Sequence, residues 1–266
     1  MKVVLTIAGS DPSGGAGVQA DIKTITAHAL YAESAVTALT AQNTQGVAAL
    51  LPTPPEFLEQ QLSCIFSDIP PDAVKIGMRP GIGQMEAVRA ALQKYRPPHI
   101  VLDTIILSTS GTHLMPPEAL SYFQSHILPL ADVYTPNLPE AGLLLKASIK
   151  TREERVAAVR QFALQYKGAV YLKGGHDTVS ADDLLFFQGV PQWIPGEHIP
   201  NPNTHGTGCT LSSAIACGLA CGLGIRESAR RAKAYITGAI ADGLDLGKGN
   251  GPLNHMYRMK GKDGRR

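Results

Sequence analysis

The stretch VVLTIAGSDPSGGAGVQADIKTITAHAL, residues 3–30, contains the pattern of a strand, a loop and a helix in succession. Residues 3–8 form a short, β-branched apolar run typical of a buried strand, and residues 18–30 have the apolar spacing of a helix. The residues between them, 9–17, are mostly glycine and small polar residues, which favour tight turns. We therefore predict a strand that leads through a glycine-rich loop into a helix.

The same alternation continues along the chain. Further strands are predicted at residues 35–40, 73–76, 100–103, 133–135 and 169–173, with helices at 55–67, 84–94, 116–126, 138–145 and 152–165. Repeated strand–helix units form a largely parallel sheet with helices on both faces. Short runs at 183–187 and 190–194 flank Gln188-Gly189 and predict an antiparallel hairpin at one end of the sheet. Two long helices, at 207–223 and 225–244, complete the predicted α/β fold.

Composition excludes several classes of protein. The chain has 266 residues, of which 44% are hydrophobic and 17% charged, with a net charge of +2; a disordered chain would have fewer apolar residues. We predict one domain over residues 1–266, with a mobile tail from about residue 258 to 266. The sequence has no basic stripe of the kind that would predict a nucleic-acid partner. No apolar run reaches the roughly 20 residues that cross a membrane. Four irregularly spaced cysteines do not form a disulfide framework, so we expect a cytoplasmic protein.

Polar and glycine-rich residues follow almost every predicted strand. They occur at 9–17, 42–44, 77–78, 103–111, 136–137 and 174–176. Ligands of open α/β sheets bind beyond the carboxyl ends of the strands, so this continuous rim predicts a binding edge. The alternative is that the turns themselves require Gly, Asn and Asp.

Two common nucleotide-binding motifs do not fit. Residues 15–20, GAGVQA, match the dinucleotide pattern, but Gly9 to Gly14 separate them from the predicted strand. The acidic residue expected at the end of the second strand is also missing, because Glu33 precedes the predicted strand. No Walker motif is present.

A stronger signal lies at residues 203–210, NTHGTGCT, directly ahead of a helix of small residues. Gly206 and Gly208 leave the backbone amides of the helix start free to approach an anion, and a transferring phosphoryl group is the natural occupant. Cys209 lies in the first turn, where we expect a lowered pKa and a role as a general base or in orienting a substrate hydroxyl. The alternative is a small buried hydrophobe. Cys217 and Cys221 are predicted to be packing residues.

In combination, the chain's motifs resemble those of the hydroxymethylpyrimidine/phosphomethylpyrimidine kinases of thiamine biosynthesis, in the ribokinase-like superfamily. They are AGSDPSGGAG at 8–17, QAD at 19–21, AQNT at 41–44, KIGM at 75–78, TPNLPEA at 135–141, KGGH at 173–176 and HGTGCT at 205–210. The resemblance covers residue 5 to about residue 252.

The resemblance implies a ribokinase-like fold and a kinase that uses ATP and Mg²⁺ twice, first on the alcohol of 4-amino-5-hydroxymethyl-2-methylpyrimidine and then on the resulting monophosphate. Relatives in this superfamily often form homodimers. The implied pyrimidine-binding residues are Gly9, Asp21, Gln42 and Met78. The implied anion hole and catalytic group are Gly206, Thr207, Gly208, Cys209 and Lys173. The implied Mg-ATP residues are Asn137, Glu140, Lys173 and Thr204, with Asp103 and Glu140 at the metal.

Several of these residues also have structural interpretations. Gln42 and Asp21 suit a turn and a helix start, Met78 suits core packing, and Asn137 with Glu140 matches a helix capping box. The segment 103–111, DTIILSTSG, also departs from the family pattern, which usually has Asp-Pro-Val-Met followed by Lys-Ser-Gly. Thr109 stands where the family pattern has its lysine, so the positive charge of that side chain is missing.

Two other functions stay open at this point. One is a pyridoxal or pyridoxine kinase, because the pyridine ring carries a similar hydroxymethyl group. The other is a pyrimidine-binding protein without catalysis, which the altered segment 103–111 would allow. The intact anion-binding turn at 206–209 favours a kinase.

Overall fold

The computed structural model describes residues 1–106, 114–175 and 180–259. Within these residues, nine strands form one sheet in the order β3-β2-β1-β4-β5-β6-β7-β8-β9. The strands are β1 (Val3–Ser10), β2 (Tyr31–Asn43), β3 (Gly46–Pro52), β4 (Ala73–Ile76), β5 (Ile100–Leu102), β6 (Val133–Tyr134), β7 (Ala169–Leu172), β8 (Asp183–Phe187) and β9 (Val190–Ile194).

The α-helices lie between the strands and after them. They are α1 (Gly17–Ala27), α2 (Pro55–Asp68), α3 (Ile82–Tyr95), α4 (Leu120–Tyr122), α5 (Leu138–Leu145), α6 (Arg152–Gln165), α7 (Thr207–Ala220) and α8 (Ile225–Asp242). None of the helices in the described ranges is long and apolar enough to cross a membrane.

The sheet is parallel from β2 to β7 and antiparallel at both ends, which confirms the predicted fold class and the β8–β9 hairpin. The second antiparallel end was not predicted. There β2 extends to Asn43, beyond the predicted end at residue 40, and pairs with β3 as a two-stranded ribbon. Gln42 therefore belongs to a strand rather than to a turn, and Glu33 lies inside β2 rather than before it.

Side-chain alternation along the strands builds a core on each face of the sheet. Leu5 and Ile7 of β1 belong to one buried cluster with residues of α2, α3 and α6, whereas Val4 belongs to a second cluster with residues of α7 and α8. Cys217 packs in the second cluster as predicted, but Cys221 is exposed. Burial of both faces follows from the parallel connections, which place helices on either side.

The prediction of one regular α-helix at 116–126 is wrong. The chain forms short 3₁₀ turns at Pro117–Ala119 and Leu128–Leu130, with α4 and a π-helical turn (Phe123–Ile127) between them. Pro129 has no backbone N–H, so the α-helical hydrogen-bond pattern cannot continue through it. In contrast, α5 and α6 begin and end where predicted, and each begins with a complete capping box.

Some of the predicted features lie outside the described residues. They are the Ser-Gly pair at 110–111 with Thr109, His176, and the tail from residue 260.

Candidate functional site

A cavity of about 630 Å³ lies at the carboxyl ends of the parallel strands. All the predicted site residues except Asp21 line it: Gly9, Gln42, Met78, Asp103, Asn137, Glu140, Lys173, Thr204, Gly206, Thr207, Gly208 and Cys209. The fold therefore brings together residues from the ends of six strands and from the start of α7. The predicted binding edge and the predicted anion-binding turn are parts of one site.

Asp21 requires a correction, because its carboxylate lies beneath the cavity and is fully buried. It accepts hydrogen bonds from Thr6 Oγ1 at 2.6 Å and Ser213 Oγ at 2.8 Å, and it forms an ion pair with Lys75 at 2.8 Å. Lys75 is also fully buried, and the Asp21 carboxylate raises its pKa despite the opposing effect of burial. Asp21 is thus held by buried partners and does not line the cavity.

The turn that we predicted to bind an anion lies at the start of α7. Gly206 is the N-cap of the helix with φ of 85°, a left-handed conformation that suits glycine, and a side chain there would strike the carbonyl oxygen of Gly15. A Cβ on Gly208 would lie 3.2 Å from Asp103 Oδ2 and 3.3 Å from Lys173 Nζ. The helix amides, a lysine and a carboxylate therefore meet around a small space that a side chain at position 208 would fill.

Lys173 and Asp103 form a charged pair in this space, with Nζ 2.9 Å from Oδ1. Thr135 Oγ1 donates to the same carboxylate oxygen at 3.1 Å. Burial would raise the pKa of Asp103, but the positive charges of Lys173 and Lys75 outweigh it, so the pKa lies below its ordinary value. Burial would lower the pKa of Lys173, but Asp103 and Glu140 raise it. Both groups are therefore charged at neutral pH.

Glu140 is occupied by local hydrogen bonds. Its Oε2 accepts from the Asn137 amide at 2.9 Å and from Thr104 Oγ1 at 2.7 Å, while Oε1 accepts from the Ile106 amide at 3.2 Å. The capping-box interpretation of Asn137 and Glu140 is confirmed. Oε2 also lies 4.0 Å from Lys173 Nζ, so the helix cap is coupled to the charged pair.

The pKa of Cys209 is raised, whereas we expected it to be lowered. Burial is the largest cause and raises the pKa of the thiol to about 11; Lys75 opposes this rise, whereas Asp21 and Asp103 add to it. Burial and the two carboxylates therefore outweigh the positive charge of Lys75. At neutral pH Cys209 is a thiol.

Two residues with no predicted role, Asp11 and His205, join the two glycine-rich loops across the cavity. His205 Nε2 lies 2.7 Å from Asp11 Oδ2, and the terminal amide of Gln42 lies 3.3 Å from the same imidazole nitrogen. Both residues are in motifs that we quoted, but they are 194 positions apart in sequence, so no local pattern pairs them.

Arg79 is a third residue that the sequence did not single out. Its fully buried guanidinium donates to the carbonyl oxygens of Gly77, Asp103 (3.1 Å) and Thr104 (3.0 Å), and lies 4.7 Å from the centre of the Phe123 ring. It therefore ties the end of β4 to the end of β5 and positions the backbone of Asp103. A lone arginine after a strand gives no sequence signal that separates this role from a solvated charge.

Comparisons with known proteins agree on one family. A family model described as phosphomethylpyrimidine kinase matches residues 11–254. The chain is 42% identical over 257 residues to the hydroxymethylpyrimidine/phosphomethylpyrimidine kinase of Escherichia coli, covering 95% of this chain and 97% of that protein. It is 44% identical over 257 residues to a thiamine biosynthesis bifunctional protein of Geobacter sulfurreducens, covering 95% of this chain but only 52% of that longer protein.

A solved structure gives the more distant comparison. The crystal structure of an ADP complex of Bacillus subtilis pyridoxal kinase superposes with a TM-score of 0.89 at 32% identity, covering 97% of this chain and 99% of that one. The shared fold therefore extends to pyridoxal kinases, while sequence identity is higher to the pyrimidine kinase.

Proposed function

The chain belongs to the phosphomethylpyrimidine kinase family, whose activity is the phosphorylation of hydroxymethylpyrimidine and its monophosphate in thiamine biosynthesis. From this premise we propose which residues around the cavity bind the pyrimidine, which bind the nucleotide and which stabilise the transferred group. The observation that carries the assignment is the space beside Gly208, bounded by Lys173, Asp103 and the start of α7. A phosphoryl group in transfer is small and negatively charged, and it fits such a space.

The pyrimidine ring is held at the β1–β2 side of the cavity. Met78 packs directly against the Cα of Gly9, so a side chain at position 9 would displace it. Met78 and the Gln42 amide both line the cavity there. They offer an apolar surface for a ring face and a hydrogen-bonding group for a ring edge, which are the two features a heteroaromatic ligand requires.

ATP is the phosphate donor. Gly206, Thr207 and Gly208 line the cavity at the N-terminus of α7, and the backbone amides of a first helical turn suit an anion. The Thr207 amide already donates to the Thr204 carbonyl at 3.3 Å, so the Gly208 amide is the stronger candidate. Thr204 and Asn137 line the same cavity. The ADP complex of the Bacillus subtilis relative supports a nucleotide in this fold.

The carboxylates suit a magnesium ion that is held mainly by nucleotide phosphates. Among the described residues, no group of three or more His, Cys, Asp or Glu side chains is placed to hold a metal. Mg²⁺ commonly takes one or two carboxylates and completes its shell with phosphates and water. Asp103 is the stronger candidate, since Oδ2 borders the space beside Gly208, whereas both oxygens of Glu140 accept local hydrogen bonds. When bound, the ion would screen the charge of the nucleotide phosphates.

The chain's own groups then act chiefly by position and charge. Lys173 and the α7 amides stabilise the phosphoryl oxygens, and Cys209 accepts a hydrogen bond from the acceptor hydroxyl and so orients it. A strong base is not required, because phosphoryl transfer passes through a loose transition state with little demand for early proton removal. The second acceptor is already an anion and needs only positioning.

Cys209→Ala is expected to slow phosphorylation of hydroxymethylpyrimidine about 10- to 100-fold and phosphorylation of its monophosphate less than about threefold. The hydroxyl loses its orienting partner, whereas a phosphate acceptor oxygen does not depend on it. Single-turnover rates with each acceptor supplied separately would measure the two effects. Cys217→Ala, on the same helix but in the core, is the matched control. Equal losses in both steps would contradict the assignment.

The pH profile distinguishes the two forms of Cys209. With a pKa raised to about 11, the group is a thiol throughout the range from pH 7 to 9, so an orienting thiol predicts a flat first-step rate. A reactive thiolate would instead raise the rate about tenfold per pH unit, in proportion to its population. Such a slope in the wild type, absent in Cys209→Ala, would favour the general-base role.

The β2–β3 ribbon supports a homodimer. Leu39 and Leu51 are directly opposite each other on this ribbon and are 53% and 66% exposed, and β3 is an edge strand of the sheet. We expect a mass near twice 28.2 kDa by light scattering and a shift to monomer in Leu39→Lys with Leu51→Lys. Leu164→Lys, at a leucine that is exposed on α6, is the control. A monomeric wild type, or a double variant that stays dimeric, would refute this interface.

We also propose that the chain forms a single domain. One sheet joins strands from β1 to β9, and α7 and α8 pack in its second core, which supports a single domain over the chain. The cytoplasmic location stays a prediction.

A further inference from the structure

Asp11 is a carboxylate that can only accept hydrogen bonds. It is 3% exposed, and its two oxygens accept from the backbone amides of Ser13 and Ala16 at 2.9 Å each and from Ser13 Oγ at 2.7 Å. Burial would raise the pKa of Asp11, but the hydrogen bonds from His205 and Ser13 outweigh it and the pKa lies below its ordinary value. Asp11 is therefore ionised at neutral pH and has no proton to donate.

The charge state of Asp11 determines which nitrogen of His205 carries a proton. The contact of 2.7 Å between Nε2 and Asp11 Oδ2 is a hydrogen bond only if Nε2 is the donor. The tautomer protonated on Nδ1 alone would place a lone pair against a carboxylate oxygen. Nε2 is therefore an N–H group, whether His205 is neutral or charged, and it has no lone pair with which to accept.

Gln42 faces the same N–H group. The amide atom assigned as Nε2 of Gln42 lies 3.3 Å from His205 Nε2, and two donors cannot bond to each other. The oxygen and nitrogen of an amide are distinguished by their hydrogen-bonding partners. The single Nε2 hydrogen is donated mainly to Asp11 Oδ2, so Gln42 at 3.3 Å can share it only as a second, weaker acceptor, which the amide oxygen can do and the NH₂ group cannot. The other amide atom lies 3.3 Å from Thr40 Oγ1, and this hydroxyl already donates to the Ser10 carbonyl at 2.9 Å. Thr40 can therefore accept from an amide NH₂, so the turned orientation satisfies both ends.

We propose that the Asp11–His205 pair fixes the Gln42 amide with its oxygen toward His205 and its NH₂ group toward Thr40 and the cavity, and thereby selects ligands that present an unprotonated ring nitrogen. The inference rests on the proposed contact between Gln42 and the pyrimidine ring. An NH₂ group has two hydrogens, so one can bond to Thr40 and the other to a lone pair of the ligand. A ring C–H at that position offers no acceptor, and a protonated ring nitrogen presents a donor to a donor. Asp11 and His205 are positioning residues in this scheme.

The tautomer of His205 can be measured directly in the wild-type protein. Long-range ¹H–¹⁵N correlation spectra of the ligand-free enzyme should show His205 protonated at Nε2, with the signal assigned by its loss in His205→Gln. A neutral ring protonated at Nδ1 alone would overturn the proposal without any reference to activity. Since this measurement needs no altered folding or catalysis, it tests the orientation itself.

A double-mutant cycle tests the selection. His205→Phe removes the donor and is expected to raise KM for hydroxymethylpyrimidine about tenfold, with kcat and KM for ATP within about twofold. His205→Gln carries an amide nitrogen at about the position of Nε2 and should restore most of the affinity. In a Gln42→Ala background, His205→Phe should have no further effect, because it acts through Gln42.

Alternative outcomes identify which claim fails. One contrary outcome is that Gln42→Ala raises KM and the effect of His205→Phe adds to it fully. Another is that His205→Phe changes kcat and the KM for ATP instead. In either case His205 only stabilises the contact between the two loops, and the inference is overturned. If Gln42→Ala leaves KM unchanged, the proposed ring contact fails first, and the selection fails with it. An analogue with the ring nitrogen replaced by C–H should bind the wild type about tenfold more weakly and the Gln42→Ala variant no more weakly than the parent ligand. Equal discrimination by both proteins would also overturn the selection.

Discussion

Gly208→Val is expected to reduce both phosphoryl transfers by about 1,000-fold or more. The first atom of the new side chain would lie 3.2 Å from Asp103 Oδ2 and 3.3 Å from Lys173 Nζ, and its two methyl groups would extend into the space assigned to the phosphoryl group. Loss of one donor from such a site already costs about 10²–10³ in rate, and valine blocks access to several donors at once. Initial rates with each acceptor would measure the loss.

The matched variants separate blockage from damage to the helix. Gly208→Ala adds only the first atom and should lose less activity than Gly208→Val. Gly224→Val introduces the same side chain at the N-cap of α8, where a Cβ meets nothing within 4 Å, and should remain active. A Gly208→Val protein that folds and retains more than about a tenth of the wild-type rate would refute the phosphoryl site.

Lys173→Met is expected to lower both rates by about 10²–10³-fold, because it removes the cation nearest the developing phosphoryl charge. The change also leaves Asp103 buried beside an apolar side chain, and an unpaired buried charge is strongly destabilising. Thermal unfolding should therefore shift downward together with activity. Kinetics with both acceptors and a melting curve would give the two effects separately.

A double variant distinguishes the contribution of Lys173 to stability from its contribution to catalysis. Adding Asp103→Asn to Lys173→Met removes the uncompensated charge, so it should recover part of the lost thermal stability without recovering the rates. Lys2→Met breaks a salt bridge of similar length to Asp72 at the surface and should change neither property much. Recovery of activity in the double variant would contradict a direct role of Lys173 at the phosphoryl group.

The sequence was informative wherever a property is local. Apolar runs located the parallel strands, and the Asn137–Glu140 spacing located the start of α5 with its cap. The β3 strand escaped prediction because residues 46–52 follow a turn and sit at an exposed sheet edge, where the apolar alternation of a half-buried strand is weak. Pairing with β2 supplies what the local pattern lacks.

The sequence predicted most of the residues that line the cavity but not the environments of their side chains. Asp21 belongs to the QAD motif at 19–21, which implied a ligand contact, but its buried carboxylate pairs with Lys75 and does not line the cavity. The position of Cys209 at a helix start suggested a lowered pKa, whereas burial and two nearby carboxylates raise it. Desolvation and distant charges depend on tertiary packing, so a motif cannot report them.

The contact between the loops of Gly15 and Gly206 also bears on how the protein is made. Asp11 and His205, which join the same loops, are 194 residues apart, and contacts of such high sequence separation form slowly because a long loop must close. The nine strands found in the described residues all lie before residue 195, while the turn at Gly206 and Cys209 come after residue 205. A nascent chain on the ribosome can therefore contain all of these strands, with Asp103 and Lys173, before it possesses the residues of α7 that complete the proposed phosphoryl site. On the proposed assignment, synthesis supplies the strands of the sheet before it completes the site.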